Sequence, residues 1–488
     1  MKAARRQARG HAPCRPPTPI HKEITVTTSA LPSAVFKAYD IRGIVPAQLN
    51  PDFARLLGRA LAMLAREQGV TELVIGFDGR LSSPQLADAL HEGANSEGLD
   101  TLDIGMVPTP LVYFAAHVRK TGSGVAITGS HNPPDYNGFK IMMAGRTLYG
   151  PDIRDLHTRM QALAERDPAG PQGERQQRDV KPDYVQRITG DVRLRRPMRV
   201  ALDCGNGVGA VLAEKLFTAL GCEVDTLYCD VDGTFPNHHP DPADPHNLED
   251  LIRHVRATDC ELGLAFDGDA DRVGVVTKSG EIIWPDRQLI LYAQDVLSRQ
   301  PGATIIFDVK CSRHVARAIT AAGGTPLMAQ TGHSLIKAKL AETGAPLAGE
   351  MSGHIFFKER WFGFDDGLYT AARLLEILSA HPDPSAVLEA LPKDVSTPEL
   401  KIEMQEGEPH ALIARLQSEG KFATAQSLIT IDGVRAEYAD GFGLARPSNT
   451  TPVIVLRFEA ETEAALTRIK NEFRDALTAL KPDISLPF

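Results

Sequence analysis

Leu73-Val-Ile-Gly-Phe-Asp78-Gly-Arg80 is a short apolar run that ends in an aspartate and a tight polar turn. The same grammar returns in Val200-Ala-Leu-Asp203-Cys-Gly-Asn-Gly207 and in Ile305-Ile-Phe-Asp308-Val-Lys310. Apolar runs bounded by turn residues suit strands of a sheet covered on both faces. Helical patterns follow the three runs, over 86–92, 210–220 and 316–322. Strand, loop and helix repeated at a spacing of about 100 residues predict tandem α/β domains with mixed, mostly parallel sheets rather than a solenoid.

The last ninety or so residues differ. An Asp-Gly turn stands between strand-like segments in Leu428-Ile-Thr-Ile-Asp-Gly-Val434, a further strand is expected over 453–458, and a closing helix over 463–480. This hairpin signal predicts a smaller α+β domain. The expected organisation is therefore three similar α/β domains, 31–177, 178–281 and 282–393, and a fourth domain, 394–488, around a central cleft. Pro392 and Ser396-Thr-Pro398 supply a linker between the third and fourth. Residues 1–30, with four arginines, four prolines and no acid before Glu23, read as a disordered tail.

Composition narrows the function. At 488 residues, 43% hydrophobic and 24% charged, the chain is an ordinary multidomain globular protein. A net charge of -9 argues against a nucleic-acid partner. No apolar stretch approaches the ~20 residues a membrane span needs. Six cysteines with no Cys-x-x-Cys pair give neither a zinc ribbon nor a disulfide framework, and fit a cytoplasmic protein.

Ligands of α/β domains gather at loops leaving the carboxyl ends of strands. Gly129-Ser130-His131-Asn132-Pro133-Pro134-Asp135 follows the apolar run 125–128 and exposes a hydroxyl beside an imidazole and an amide, with Lys140 downstream. It suits a nucleophile or phosphate carrier, or simply a capped turn. Asp267-Gly268-Asp269-Ala270-Asp271-Arg272 places three carboxylates in one loop, where their repulsion calls for a hard cation such as Mg²⁺. Gly349-Glu350-Met351-Ser352-Gly353-His354 suits sugar hydroxyls and equally a polar turn. Arg446-Pro447-Ser448-Asn449-Thr450-Thr451-Pro452 can cradle a phosphate, although such residues are ordinary before a strand.

Two stretches compete with these. Asp230-Val-Asp232-Gly233-Thr234 spells the nucleophile motif of haloacid-dehalogenase-type phosphatases, but in mid-chain. His238, His239, Asp241, Asp244 and His246 lack zinc-ligand spacing and read as a joining loop.

Taken together and in order, the four loops resemble those of the α-D-phosphohexomutase family, over the run from Phe36-Lys-Ala-Tyr-Asp-Ile-Arg-Gly43 to Phe458, and most closely its bacterial branch acting on mannose and glucose phosphates. The resemblance implies reversible phosphoryl transfer between C6 and C1 through a phosphoserine at Ser130 and a hexose 1,6-bisphosphate, which also serves as activator. It implies Mg²⁺ on Asp267, Asp269 and Asp271 with the Ser130 phosphate beside them. Glu350 and Ser352 would hold the sugar's 3- and 4-hydroxyls, and Arg446, Ser448, Asn449 and Thr450 the phosphate not being transferred. Tyr39, Arg42, His131, Asn132, Lys140, Arg272, Lys310, Thr331, Gly332, His333 and His354 fall where the family lines its cleft, with Lys140, His131 or Arg42 as proton shuttle. Partners are then small sugar phosphates, and a monomer is expected. Gly129, where many relatives carry alanine, is expected to matter little. The alternatives kept are a phosphoglucosamine mutase, whose sugar loop commonly has Gln in place of Met351, a haloacid-dehalogenase-type phosphatase using Asp230, and a sugar-phosphate-binding protein without turnover.

Overall fold

The computed structural model describes residues 31–168, 171–449 and 451–488. Glu72–Phe77, the first of the three apolar runs, is buried along its middle on both faces and sits near the centre of a seven-stranded sheet. Gly124–Ile127 and Asp100–Met106 flank it in parallel, and Arg175–Gln177 extends that side. Tyr136–Met143 turns back antiparallel to Gly124–Ile127 and then pairs with Ile41–Ile44. The second sheet has Arg199–Asp203 parallel to both Glu223–Leu227 and Leu262–Phe266, with Val273–Thr277 antiparallel beyond. In the third, Thr304–Asp308 lies parallel to Thr325–Ala329 and Leu347–Gly349, and Ile355–Phe357 closes the edge antiparallel. Three mixed sheets, each mostly parallel with an antiparallel margin, follow from three strand–loop–helix repeats.

The fourth sheet is wholly antiparallel, in the order Val395–Ser396, Val453–Ala460, Gly441–Pro447, Val434–Tyr438, Ser427–Ile429, with Leu400–Glu403 also on Val453–Ala460. The Asp432-Gly433 turn closes a hairpin in which Leu428 faces Ala436. Helix Glu463–Leu480 packs on this sheet and is capped by Thr462, whose side chain accepts from the Ala465 amide at 3.2 Å. The residues expected as linker partly join it, since Ser396 pairs with Glu459.

Packing explains why the last unit is the odd one. A continuous apolar cluster runs from Val74 and Phe114 through Leu202, Phe266 and Tyr292 to Leu375, so the three α/β units share one core. The fourth has its own, built on Ile402, Leu416, Leu456, Ile469 and Phe473. Polar contacts join it to the third: Arg435 donates to the carbonyls of Val309 (2.6 Å) and Cys311 (2.7 Å), and Arg457 to that of Lys310 at 2.6 Å. Among the described residues no helix is long and apolar enough to cross a membrane.

Candidate active site

The loops leaving the carboxyl ends of Gly124–Ile127, Leu262–Phe266 and Leu347–Gly349 meet. Ser130 is buried and holds a left-handed backbone, φ +50°. Its amide donates to Thr128 Oγ1 at 2.8 Å, and its hydroxyl lies 3.2 Å from both His131 Nδ1 and Asp267 Oδ2. The approach of the two loops is set by Gly268, where a Cβ would fall 2.2 Å from the Ser130 carbonyl oxygen. Asn132 is half-buried, its amide closing the turn onto the Gly129 carbonyl.

Asp267, Asp269 and Asp271 are wholly buried, and each offers a carboxylate oxygen within 4.8 Å of the others. Lys140 Nζ reaches Asp269 Oδ2 at 2.7 Å and Asp271 Oδ2 at 2.6 Å, while Arg272 Nε donates to Asp267 Oδ2 at 3.0 Å. Thr109 Oγ1 adds a 2.6 Å bond to Asp269 Oδ2. Among the described residues, Asp269 Oδ1 is buried with no hydrogen-bond partner, and Asp271 Oδ1 has only the His354 imidazole, 3.5 Å away. Burial, with Asp271 and Asp269 close by, pushes the Asp267 carboxyl up to about 8. Burial works the same way on Asp271, but Lys140 and His354 overcome it and hold that carboxyl well below the usual range. Oxygens left over after every local cation is counted are what a divalent metal requires, so the donor set fits Mg²⁺.

The sugar-type loop lies against this cluster. Arg272 forms a backbone bridge with His354, and its Nη1 reaches Asp241 Oδ1 at 3.2 Å and the Ser352 carbonyl at 3.4 Å. Glu350 Oε1 accepts from the Gly332 amide at 2.6 Å, and Ser352 Oγ is 2.9 Å from His354 Nδ1. Burial disfavours the imidazolium of His354, yet Asp271 and Glu350 outweigh it and raise the ring to about 10. His333 stacks on His354 with centroids 5.5 Å apart, and burial lowers it. His131 is lowered well below its usual value by burial and then by Arg272.

Tyr39 ties three units together. Its hydroxyl donates to the Thr331 carbonyl at 2.8 Å and accepts from the Asn449 side chain. Asp432 Oδ2 accepts from the Thr331 amide at 3.0 Å and from Arg446 Nε at 2.9 Å. Arg446 does not lie in a loop as its motif suggested. It is in the strand Gly441–Pro447, opposite Val455, and the turn proper begins at Ser448, whose hydroxyl accepts from Thr451. Lys310 is buried and paired with Glu399 at 2.6 Å, and Arg42 with Asp40 at 2.6 Å. Thr450 lies outside the described residues, as do residues 1–30.

The structure thus gathers the described members of the expected set, and adds residues the motifs do not contain. Thr109, Asp241, Asp365 and Asp432 each hold a member of the set, Asp365 Oδ2 being 3.3 Å from His333 Nδ1. Asp241 was visible only as part of an unexplained acidic and histidine-rich stretch and Asp432 only as half of a hairpin turn; Thr109 and Asp365 gave no local signal. The phosphatase-like motif goes elsewhere: Asp230 is exposed, and Asp232 caps its own turn through Thr234.

Comparison with known proteins agrees with this geometry. Models of the phosphoglucomutase/phosphomannomutase α/β/α domains I, II and III match residues 33–167, 182–280 and 284–395, and that of the C-terminal domain matches residues 399–476. The chain belongs to the phosphoglucomutase/phosphomannomutase family. A phosphoglucomutase of Neisseria meningitidis is 56% identical over 457 residues, covering 93% of this chain and 98% of that protein. The phosphomannomutase/phosphoglucomutase of Pseudomonas aeruginosa is 53% identical over 465 residues, 95% of this chain and all of that one. A solved structure of a family protein from Burkholderia thailandensis superposes with a TM-score of 0.89 at 55% identity, covering 93% and 99% of the two chains.

Proposed function

We infer that the protein is a phosphomannomutase/phosphoglucomutase, an isomerase that moves a phosphoryl group between C6 and C1 of mannose and glucose phosphates. The Pseudomonas relative is named for both the mannose and the glucose activity and the Neisseria relative for the glucose one, each matched over nearly the whole chain. The observation that carries the reading to particular atoms is the meeting of the Ser130 hydroxyl, 3.2 Å from Asp267, with the partly unpartnered carboxylates of Asp269 and Asp271.

In this reading Ser130 carries the phosphoryl group and gives it to the free C1 or C6 hydroxyl of the bound hexose phosphate. One P–O bond forms to the sugar as the serine ester bond breaks, and the sugar hydroxyl loses its proton to a neighbouring side chain. The bisphosphate then reverses, and its other phosphate returns to Ser130. Asp267, Asp269 and Asp271 would hold Mg²⁺, which when bound offsets charge on the phosphoryl oxygens. Lys140 and Arg272 keep the three carboxylates together and supply positive charge beside the serine. Buried guanidinium N–H groups without acceptors among the described residues, Arg42 Nε and Arg272 Nη2, are further donors for a phosphate. Of His131, Lys140 and Arg42, His131 is favoured by its contact with the serine oxygen, 3.2 Å from Nδ1.

Glu350 and Ser352 would grip O3 and O4, which occupy similar places in either orientation of the sugar. Tyr39, Asn132, Lys310, Thr331, Gly332, His333 and His354 line the same cleft. The non-transferred phosphate would rest on Arg446, Ser448, Asn449 and Thr450 of the fourth unit, whose docking onto the third also keeps water from the phosphoserine.

Phosphopeptide mapping after brief incubation with glucose 1,6-bisphosphate and Mg²⁺ tests this. Phosphate is expected on Ser130, and Ser130→Ala is expected to lose mutase turnover while calorimetry still shows binding of glucose 1-phosphate. Turnover by a protein that never acquires phosphate at Ser130 would sink the mechanism.

A further inference from the structure

Arg80 ends the turn that follows Glu72–Phe77, and its guanidinium is sealed from solvent. An arginine offers five N–H donors, and here all five are engaged. Nε donates to Asp78 Oδ2 at 3.2 Å. Nη1 donates to the carbonyls of Tyr136 at 2.9 Å and of Pro133. Nη2 donates to those of Ser130 at 2.8 Å and Asn132 at 2.6 Å. One planar group thus collects three main-chain carbonyls of the loop that begins at Ser130 and a fourth from Tyr136, where the next strand starts. Asp78 grips the approach to the same loop, its Oδ2 accepting from Thr128 Oγ1 at 2.8 Å and from the Gly129 amide at 3.1 Å. The left-handed backbone of Ser130, unusual for a residue with a side chain, persists where its surroundings leave no alternative. Gly129 belongs to the same fit. A Cβ there would stand 2.4 Å from Arg80 Cζ, so the position expected to tolerate alanine freely does not do so while the guanidinium keeps its place.

The other side of the turn is covered by the segment that resembled a phosphatase motif. Phe235 lies under the guanidinium, 5.1 Å from ring centroid to Cζ. A Cβ on Gly79 would meet Val231 Cγ1 at 2.2 Å, and one on Gly233 would meet the Gly79 carbonyl at 2.6 Å. The second unit therefore rests directly on the turn that shapes the serine loop of the first.

We propose that Arg80 is the positioning residue of the Ser130 loop, and that the stretch from Val231 to Phe235 is its buttress. The proposal rests on Ser130 being the phosphoryl carrier. With the carbonyls held on Arg80, the serine hydroxyl stands 3.2 Å from Asp267 Oδ2. Phosphoryl transfer is sensitive to displacements of about 1 Å in the reacting oxygen, which can cost about 100-fold in rate. Lysine cannot replace the arginine, because three donors on a point-like ammonium cannot serve four carbonyls and a carboxylate in one plane.

The test compares wild type, Arg80→Lys, Arg80→Met and Phe235→Leu, all as full-length protein with Mg²⁺. Three quantities are read: phosphate uptake by Ser130 from glucose 1,6-bisphosphate, steady-state kcat, and KM for glucose 1-phosphate. Both Arg80 variants are expected to lose about 100-fold in uptake and kcat, with KM within about threefold of wild type. Phe235→Leu should lose about tenfold; in one further variant, Arg80→Ala, guanidinium ion at millimolar concentration should restore part of the rate, and no rescue in a folded protein counts against the positioning role. An Arg80→Met enzyme within threefold of wild-type kcat overturns the proposal, and so does a KM that rises in step with the loss, which would make Arg80 a phosphate ligand. Should the Arg80 variants fail to fold, Phe235→Leu decides, and a folded protein with the wild-type uptake rate refutes the buttress and the positioning together. If wild-type protein takes no phosphate on Ser130, the functional reading itself falls, and that result is visible before any variant is measured.

Discussion

Lys140→Met separates the metal role of the aspartate loop from its packing role. The Lys140 side chain is 4% exposed, and its ammonium lies 2.7 and 2.6 Å from two carboxylates that are wholly buried. Methionine matches the length and apolar stem of lysine, so the loss is mainly one of charge. Removing one partner of a buried ion pair costs about 3–5 kcal/mol, because the remaining charge is left without compensation. The chelated variant should therefore unfold at distinctly lower urea than the chelated wild type, with a loss in that range. Trp284 and Trp361, the only two tryptophans, provide the fluorescence signal. Added Mg²⁺ should stabilise the variant more than the wild type, because two carboxylates are no longer shared with a lysine. A ligand at 100 times its Kd contributes about 2.7 kcal/mol, enough to recover more than half of the smaller loss. Mutase kcat should still fall at least about 100-fold, since a fixed positive charge beside the transferring group is gone. Stability in chelator within about 1 kcal/mol of wild type would refute the claim that Lys140 neutralises the loop. A large loss that Mg²⁺ does not relieve would refute the metal site.

Two other outcomes follow from residues outside the cleft. Asp230→Asn should leave mutase kcat within about twofold of wild type, measured by coupled assay, because the carboxylate is exposed and holds nothing in the site; loss of activity would revive the phosphatase-like reading. Asp366 is buried and raised to about 7, chiefly by burial. Its folded value lies above that of the unfolded chain, near 4, so the native state keeps a proton that the unfolded state releases. Stability should then decline as pH rises from about 4 to about 7, by about 4 kcal/mol in all, and Asp366→Asn should flatten that decline in urea titrations; an unchanged pH profile would show that Asp366 is not its source.

How much of this was legible in the sequence depends on the range of the interaction. Strand ends that carry chemistry are local: apolar run, aspartate and small residues stand side by side, and the structure puts the strand Glu72–Phe77 where those residues said. The hairpin around Asp432-Gly433 and the helix Glu463–Leu480 were readable for the same reason. What escaped is what folding brings from far away. Thr109 reaches Asp269 across 160 positions, and Asp365 meets His333 from another element, so neither has a neighbour in sequence to reveal it. Arg446 reads as part of the phosphate-cradle loop with the residues that follow it, yet it and Pro447 end a strand, opposite Val455 and Ile454. Arg80 was in plain view in the first stretch read, and its meaning depended on carbonyls fifty residues downstream.

Gly268 and Ala270 alternate with the three carboxylates, and their smallness is as demanding as the charges. Gly268 has the Ser130 carbonyl against it, while Ala270 takes a left-handed backbone and its carbonyl accepts from the Gly367 amide at 3.1 Å. The pentapeptide has two separate vocabularies, acids turned to one side and near-absence of side chain on the other. A saturation library of the loop should therefore be nearly as intolerant at 268 and 270 as at the aspartates. A pattern search that leaves those two positions open would collect many acidic loops that bind a cation and have nothing pressed against their backs.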